Sequence, residues 1–197
     1  MDNDRVKALL ERIGQQDQAA FRELYKAFSR RVHAYVLNML KDSARAEEVL
    51  VDTMYEVWRA PARFRGESQF STWLIGVARN KALMVYRGRR PDELHDDLDD
   101  IAETTPSDSP DAFAQLAAKQ RTQGVRACMD KLSDEHRECM HLVFYEGYSL
   151  AEVASVQNCP ENTVKTRLFH ARQKIKACLA RLVQREGGAV PEGAVKS

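Results

Sequence analysis

The chain has no apolar run approaching the roughly 20 residues a helix needs to cross a bilayer. Its opening residues, Met1-Asp2-Asn3-Asp4, lack the basic-then-apolar pattern of a secretory leader. No membrane insertion is expected, and a cytoplasmic location is. Four cysteines, Cys128, Cys139, Cys159 and Cys178, are irregularly spaced and none forms a CxxC pair, so a zinc ribbon is not indicated. His136, Cys139 and His141 could approach one another on a helix. The paired spacing of structural metal sites is missing there, however, and a core cysteine with two marginal histidines is the preferred reading. Glu47, Glu48 and Asp52 share a helix but have no histidine partner, which suits a solvated or protein-binding face better than a metal site. There is no nucleophile–base pair and no phosphate-cradling loop. An enzyme is therefore not expected, nor a metal, a cofactor or a small-molecule substrate. Internal repeats and the alternation of β-strands are also missing.

What the chain does have is charge, and the charge is segregated. The 197 residues carry a net +1, yet residues 1–90 hold 17 basic and 11 acidic side chains. Residues 91–118 hold nine carboxylates and no Lys or Arg, and residues 119–186 hold 12 basic against eight acidic. Two basic blocks on either side of an acidic strap point to a polyanionic partner for each block. Hydrophobic residues make up 44% of the chain, enough for packed cores, and the length suits two small domains better than one large one.

Helical periodicity runs through both blocks. Phe21, Leu24, Tyr25, Phe28, Val32, Tyr35, Val36, Met39 and Leu40 recur at three- and four-residue steps, the mark of an amphipathic helix. A second helix is predicted from Asp42-Ser43 to about Ala60, stopped by Pro61, with Leu50, Met54, Val57 and Trp58 inward. A third is predicted from about Gln69, with Phe70, Trp73, Leu74, Val77 and Met84 inward, ending where glycine and proline punctuate Arg87-Gly88-Arg89-Arg90-Pro91. Residues 91–110 are acidic and poor in large apolar groups, which reads as a linker. Helices resume around Asp111, with Phe113, Leu116, Val125, Cys128, Met129 and Leu132 in register, and Ser133-Asp134-Glu135 opens another bearing Met140, Val143 and Phe144.

The sharpest local signal is Gly147-Tyr148-Ser149-Leu150-Ala151-Glu152, where Ser149 and Glu152 have capping-box spacing. The short helix that follows is broken at Asn158-Cys159-Pro160. A longer one then starts near Glu161, with Val164, Leu168, Ala171, Ile175, Leu179 and Leu182 on its buried side. Two helices joined by a tight turn, the second longer and basic, describe a helix-turn-helix. From Val164 to Arg185 there are seven basic residues and no acidic one. Lys165, Thr166, Arg167, Phe169, His170 and Arg172 supply what a recognition helix needs, namely donors for guanine edges, apolar or hydroxyl groups for thymine methyls, and cations for phosphates.

The first block has its own basic segment, Arg79, Lys81, Arg87, Arg89 and Arg90, with Asn80 and Tyr86 among them. Cations interleaved with aromatics and an amide suit single-stranded DNA. Phe70 and Trp73 share helical spacing with Leu74 and Val77 and read as core, which leaves Phe64, beside Arg65, as the ring placed to meet a base.

The stretch Phe64-Arg65-Gly66-Glu67-Ser68-Gln69-Phe70-Ser71-Thr72-Trp73-Leu74, with Ala78-Arg79-Asn80 after it and Ala46-Glu47-Glu48-Val49-Leu50-Val51-Asp52-Thr53 before it, resembles the second conserved region of extracytoplasmic-function (ECF) sigma factors. Gly147 to Ala154, with Thr163 to Arg172, resembles the family's fourth region. The resemblance implies an all-α protein of two small helical domains joined by an acidic flexible linker. These are a region 2 domain over 1–90, the linker over 91–114, a region 4 domain over 115–186 and a disordered tail over 187–197. It further implies core RNA polymerase, promoter DNA and an anti-sigma factor as partners. The helix bearing Glu48 and Asp52 would meet the polymerase. Phe64, Arg65, Ser68, Arg79, Asn80 and Lys81 would take the minus-ten element with a flipped base. The basic helix would read the minus-35 element, and the acidic linker would thread the polymerase's RNA path. Val51 stands where the family commonly has glutamine, and His170 where arginine is frequent. An autonomous helix-turn-helix regulator of duplex DNA is the alternative, and a helical adaptor acting only through proteins is another. The first explains residues 133–183 but gives the basic–aromatic segment 63–90 no role.

Overall fold

The structure is a computed structural model that describes residues 1–88 and 123–187, with side chains as far as Leu182. Every regular element among these residues is helical. They group into two compact units, one of residues 1–88 with 148–159 and the other of residues 123–147 with 160–187. The expected linker lies outside the described residues, as do Phe113, Leu116 and the expected tail beyond Gly187, the residue on which α8 ends.

The first unit contains α1 (Asn3–Gly14), α2 (Gln18–Leu40), α3 (Ser43–Arg59), a 3-10 turn (Pro61–Arg63) and α4 (Phe70–Arg87). An aspartate opens each of the first three helices. Asp2 accepts from the Arg5 amide at 2.8 Å, Asp17 from Ala19 and Ala20 at 2.8 and 3.1 Å, and Asp42 from Arg45 at 3.0 Å. Each cap satisfies an orphan donor and stabilises its helix by about 1 kcal/mol. Lys41, at φ 56°, ends α2 in the left-handed region, and Pro61 prevents α3 from continuing. Leu24, Val32, Tyr35, Val36 and Leu40 of α2, Met54 and Val57 of α3, and Phe70, Leu74, Ile75 and Ala78 of α4 are all buried. One expectation is corrected. Met84 is 73% exposed, because the inward stripe of α4 steps from Leu74 through Ala78 to Ala82 and leaves residue 84 on the opposite side.

The same unit takes in α7 (Leu150–Gln157). Its capping box is formed, with the Ser149 hydroxyl accepting from the Glu152 amide at 3.3 Å and the Glu152 carboxylate accepting from the Ser149 amide at 2.9 Å. The other carboxylate oxygen accepts from the buried Thr72 hydroxyl of α4 at 2.9 Å. Burial works against the Glu152 charge, but the amide and hydroxyl of Ser149 and then the Thr72 hydroxyl outweigh it, so the carboxyl lies below its ordinary value. Asn158, at φ 49°, closes α7.

The second unit is built on α8 (Glu161–Gly187), against which α6 (Asp134–Phe144) packs, preceded by α5 (residues 123–130). Val164, Leu168 and Ala171 of α8 are buried, as are Cys139 and Leu142 of α6. A disulfide joins Cys128 of α5 to Cys178 of α8.

Phe70 is 1% exposed, and its ring meets Phe28, Phe64 and Trp73 at centroid distances of 5.0, 5.2 and 5.6 Å. Phe70→Ala is expected to destabilise the first unit by about 3–5 kcal/mol, read as a lower urea midpoint.

Candidate nucleic-acid interface

The loop between the 3-10 turn and α4 is fixed by a side chain distant in sequence. Asn3, at the start of α1, donates through its side-chain nitrogen to the Ser68 carbonyl at 3.0 Å and accepts from the Phe70 amide at 3.0 Å. A single amide group thus pins both sides of Gln69. Gly66 turns the loop at φ 77°, where a Cβ would lie 3.0 Å from the Lys7 side chain. The dihedral is what calls for glycine, since the end of the Lys7 side chain can move aside.

With the loop held, Arg65 projects, its side chain 80% exposed, with Glu67 3.9 Å away. Ser68 is half-buried, Arg79 is half-buried on α4, and Asn80 is exposed. Two residues differ from the picture drawn from sequence. Phe64 does not present its ring. It is 8% exposed, edge-on to Phe70 and 5.6 Å from Trp73, so it anchors the loop from beneath. Lys81 is paired with Glu56 of α3 at 3.0 Å. Arg63 donates to the same carboxylate. Burial opposes the charge on Glu56, yet Lys81 and then Arg63 prevail and its carboxyl lies below the usual value.

Glu48 and Asp52, at the four-residue steps of α3 that lead to Glu56, are exposed. Beside them is a feature that sequence reasoning missed, an apolar groove of about 460 Å³ between α2 and α3, lined by Phe21, Tyr25, Val51, Met54, Tyr55 and Trp58. Val51 and Tyr55 are each 59% exposed. Their spacing of four residues on a helix with outward carboxylates was the available signal.

In the second unit, α8 presents Lys165, Thr166, Phe169, His170 and Arg172 to solvent, with Arg167 half-buried. The Thr166 hydroxyl donates to the Asn162 carbonyl at 2.9 Å. Phe169 is 58% exposed and edge-on to His170, and the Arg172 guanidinium stands 5.4 Å over the Phe144 ring. Phe144 is itself 55% exposed, so it props the cation up from α6 and does not enter the core. His136 accepts from or donates to the Ser133 hydroxyl at 2.9 Å, and its ring is 6.4 Å from that of His170. Burial, then Lys174, His170 and Arg167, push the His136 imidazole below its ordinary value. His141 pairs instead with Glu146 at 3.5 Å and stacks on Tyr145. Among the described residues no three His, Cys, Asp or Glu side chains gather as metal ligands.

Comparison with known proteins follows these surfaces. Residues 24–91 match Sigma-70 region 2, and residues 122–175 match Sigma-70, region 4. The chain is 30% identical over 188 residues to the ECF RNA polymerase sigma-E factor of Salmonella typhimurium, covering 91% of this chain and 96% of that protein. It belongs to the ECF sigma factors. The RNA polymerase sigma-H factor of Pseudomonas aeruginosa is 28% identical over 193 residues, covering 93% of this chain and 98% of that one. In fold, the chain is similar to the sigma factor RpoE of Bartonella quintana, solved with the anti-sigma factor NepR, at TM-score 0.62 and 22% identity, covering 81% of this chain and 96% of that one. It is similar also to CnrH, solved with the cytosolic domain of CnrY, at TM-score 0.63 and 22% identity, covering 90% and 98%.

In this sigma factor, the region 2 match runs from α2 to α4 and takes in the loop, while α1, which supplies Asn3, lies before it. Asn3→Ala leaves the Ser68 carbonyl and Phe70 amide without their partner. The expected outcome is a loss of about 1–2 kcal/mol, with faster hydrogen exchange at the Phe70 amide and an unchanged rate at the α8 amides.

Proposed function

We propose that this sigma factor binds core RNA polymerase through the groove and carboxylates of α3, opens the minus-ten element at the loop and α4, and reads the minus-35 element with α8. The observation that carries this reading is that each unit has its own cationic, partly apolar surface and that the two are built differently. In the first, Arg65, Arg79 and Asn80 surround a braced loop, a shape that suits an unstacked base. Flipping a base out costs a few kcal/mol, which contacts available only to a single strand can offset. In the second, one helix presents a row of donors with an exposed ring, which suits the major groove of a duplex.

The residues of each surface take distinct parts. Arg65 and Ser68 face the strand from the loop, and Arg79 and Asn80 from α4. Phe64 supports the loop from below, and Lys81 holds α4 to α3 through Glu56. On α8, Lys165 and Arg172 suit phosphates, and Arg167 and His170 suit base edges. Thr166 and Phe169 suit thymine methyls. Val51 and Tyr55 offer an apolar docking surface flanked by Glu48 and Asp52, where hydrophobic contact supplies affinity and the charges supply register. The chain serves by binding and positioning, and the chemistry of RNA synthesis belongs to the polymerase. Residues 1–90 and 115–186 serve as the two promoter-facing domains, joined by the acidic strap 91–114. The fold shared with two proteins solved in anti-sigma complexes supports an anti-sigma factor as a further partner, and the reading places the protein in the cytoplasm beside polymerase.

Arg167→Ala is expected to lower transcription from minus-35-dependent promoters roughly 10-fold, the cost of losing one good base contact. Asn80→Ala is expected instead to lower permanganate reactivity in the promoter bubble while polymerase binding persists. Unchanged transcription by both variants overturns these placements.

A further inference from the structure

The four cysteines are not among the residues assigned above to promoter recognition, and the packing of the second unit brings two of them together. Cys128 and Cys178 are 50 residues apart in sequence, and their Cα atoms are 5.8 Å apart. Their meeting belongs to a wider register between α8 and the helices before it. A Cβ on Gly124 would lie 3.5 Å from Leu182, four residues before Cys128 on α5 and four after Cys178 on α8. Eight residues in the other direction, the rings of His136 and His170 meet at 6.4 Å. The segments run antiparallel past α8, and the two sulfurs lie between these independent contacts, four residues from one and eight from the other. Helix packing therefore presents the pair whether or not the bond is made.

We propose that Cys128 and Cys178 form a reversible redox site, a dithiol oxidised to an intramolecular disulfide by hydroperoxides. This rests on the proposed function only for its resting state. A protein that works beside polymerase sits in a reducing compartment, where a pair of this kind is kept as thiols and disulfides are transient. The two sulfurs are unequal in access. Cys128 is 1% exposed, whereas Cys178 is half-buried, with Lys174 one turn before it and Arg181 three residues after it on the same helix. Neighbouring cations favour the thiolate, which is the reactive form. The Cys178 thiolate attacks the peroxide O–O bond, takes one oxygen as sulfenic acid and releases the other as an alkoxide or hydroxide that picks up a proton. Cys128 then attacks the sulfenyl sulfur, the S–S bond forms, and the departing hydroxide leaves as water with the thiol proton. Two thiols and one hydroperoxide become one disulfide, one alcohol or water, and one water. The two electrons that reduce the O–O bond come from the sulfur pair. Thiol reductants reverse the change. Cys139, wholly buried on α6, and Cys159, just past the end of α7, lie outside this pair.

Closing a loop of this length constrains the unfolded chain, so oxidation is expected to make the second unit harder to unfold. The DNA-facing residues of α8 end at Arg172, about a turn and a half before Cys178. The site thus acts on the anchorage of the recognition helix and leaves its reading face open.

The test uses the full chain, reduced and then exposed to hydrogen peroxide, with remaining thiols blocked by N-ethylmaleimide before and after addition of dithiothreitol. The expected result is two cysteines protected by peroxide and released by dithiothreitol, with mass spectrometry of unreduced peptides joining Cys128 to Cys178. The thermal midpoint of the second unit should rise by about 5 °C or more on oxidation. The Cys139→Ser/Cys159→Ser variant should behave as wild type, and Cys178→Ser should lose both effects. Four reactive thiols after peroxide, pairing through Cys139 or Cys159, or pairing only in urea overturns the proposal. None of these readouts involves polymerase or promoter, so the site can fail while the sigma-factor reading stands, and the reverse.

Discussion

The side-chain amide of Asn3 and the ring of Phe70 together fix the part of the first unit on which the rest depends. The amide bridges the Ser68 carbonyl and the Phe70 amide, while the ring is gripped by Phe28, Phe64 and Trp73. A six-residue polar loop has too little apolar surface to order itself. It is ordered here because both its ends are tied, Phe64 by burial and Phe70 by burial and a hydrogen bond. Without that brace, Arg65 and Ser68 would have no defined position relative to Arg79 and Asn80, and the candidate single-strand surface would be a composition and not a site.

The second surface needs no such brace, because a helix supplies it ready-made. The periodicity that buries Val164, Leu168 and Ala171 also turns Lys165, Thr166, Phe169, His170 and Arg172 outward. The concentration of cations is felt locally, since His136 is pushed toward its neutral form by burial and by Lys174, His170 and Arg167. Such a face suits a polyanion, and the acidic residues it lacks are concentrated in residues 91–118. The contrast between a loop site that must be held open and a helical site that is continuous matches the two states of promoter DNA, melted and duplex.

Much of this was legible in the sequence where the determining forces are local. Helical stripes marked α2, α3 and α4, with Asp42-Ser43 and Pro61 bounding α3, and the Ser149–Glu152 spacing announced a capping box that forms. Most of the misses were long-range. Asn3 acts across 65 and 67 residues, and periodicity carries no trace of that. The pairing of Lys81 with Glu56, on another helix, is likewise a contact that spacing along α4 does not show. Phe64 looked exposed because its neighbours in sequence are polar, whereas its neighbours in space are aromatic. Met84 was assigned inward on hydrophobicity alone, although Ala78 and Ala82 already complete that face. Cys178 could have been found, since it continues the steps of Leu168, Ala171 and Ile175 toward Leu182, on the side of α8 that meets its neighbours. Residues 148–159 group with the N-terminal helices, a tertiary preference no local pattern encodes.

The central claim is that the two DNA-facing surfaces work only when polymerase fixes them both. Binding of the full chain to a promoter duplex, titrated with and without core RNA polymerase, tests it most directly. The account predicts weak, salt-sensitive and sequence-indifferent binding by the chain alone, and specific binding followed by strand opening once core enzyme is present. Tight, promoter-specific binding by the chain alone, unchanged by core enzyme, would contradict it and favour an autonomous regulator.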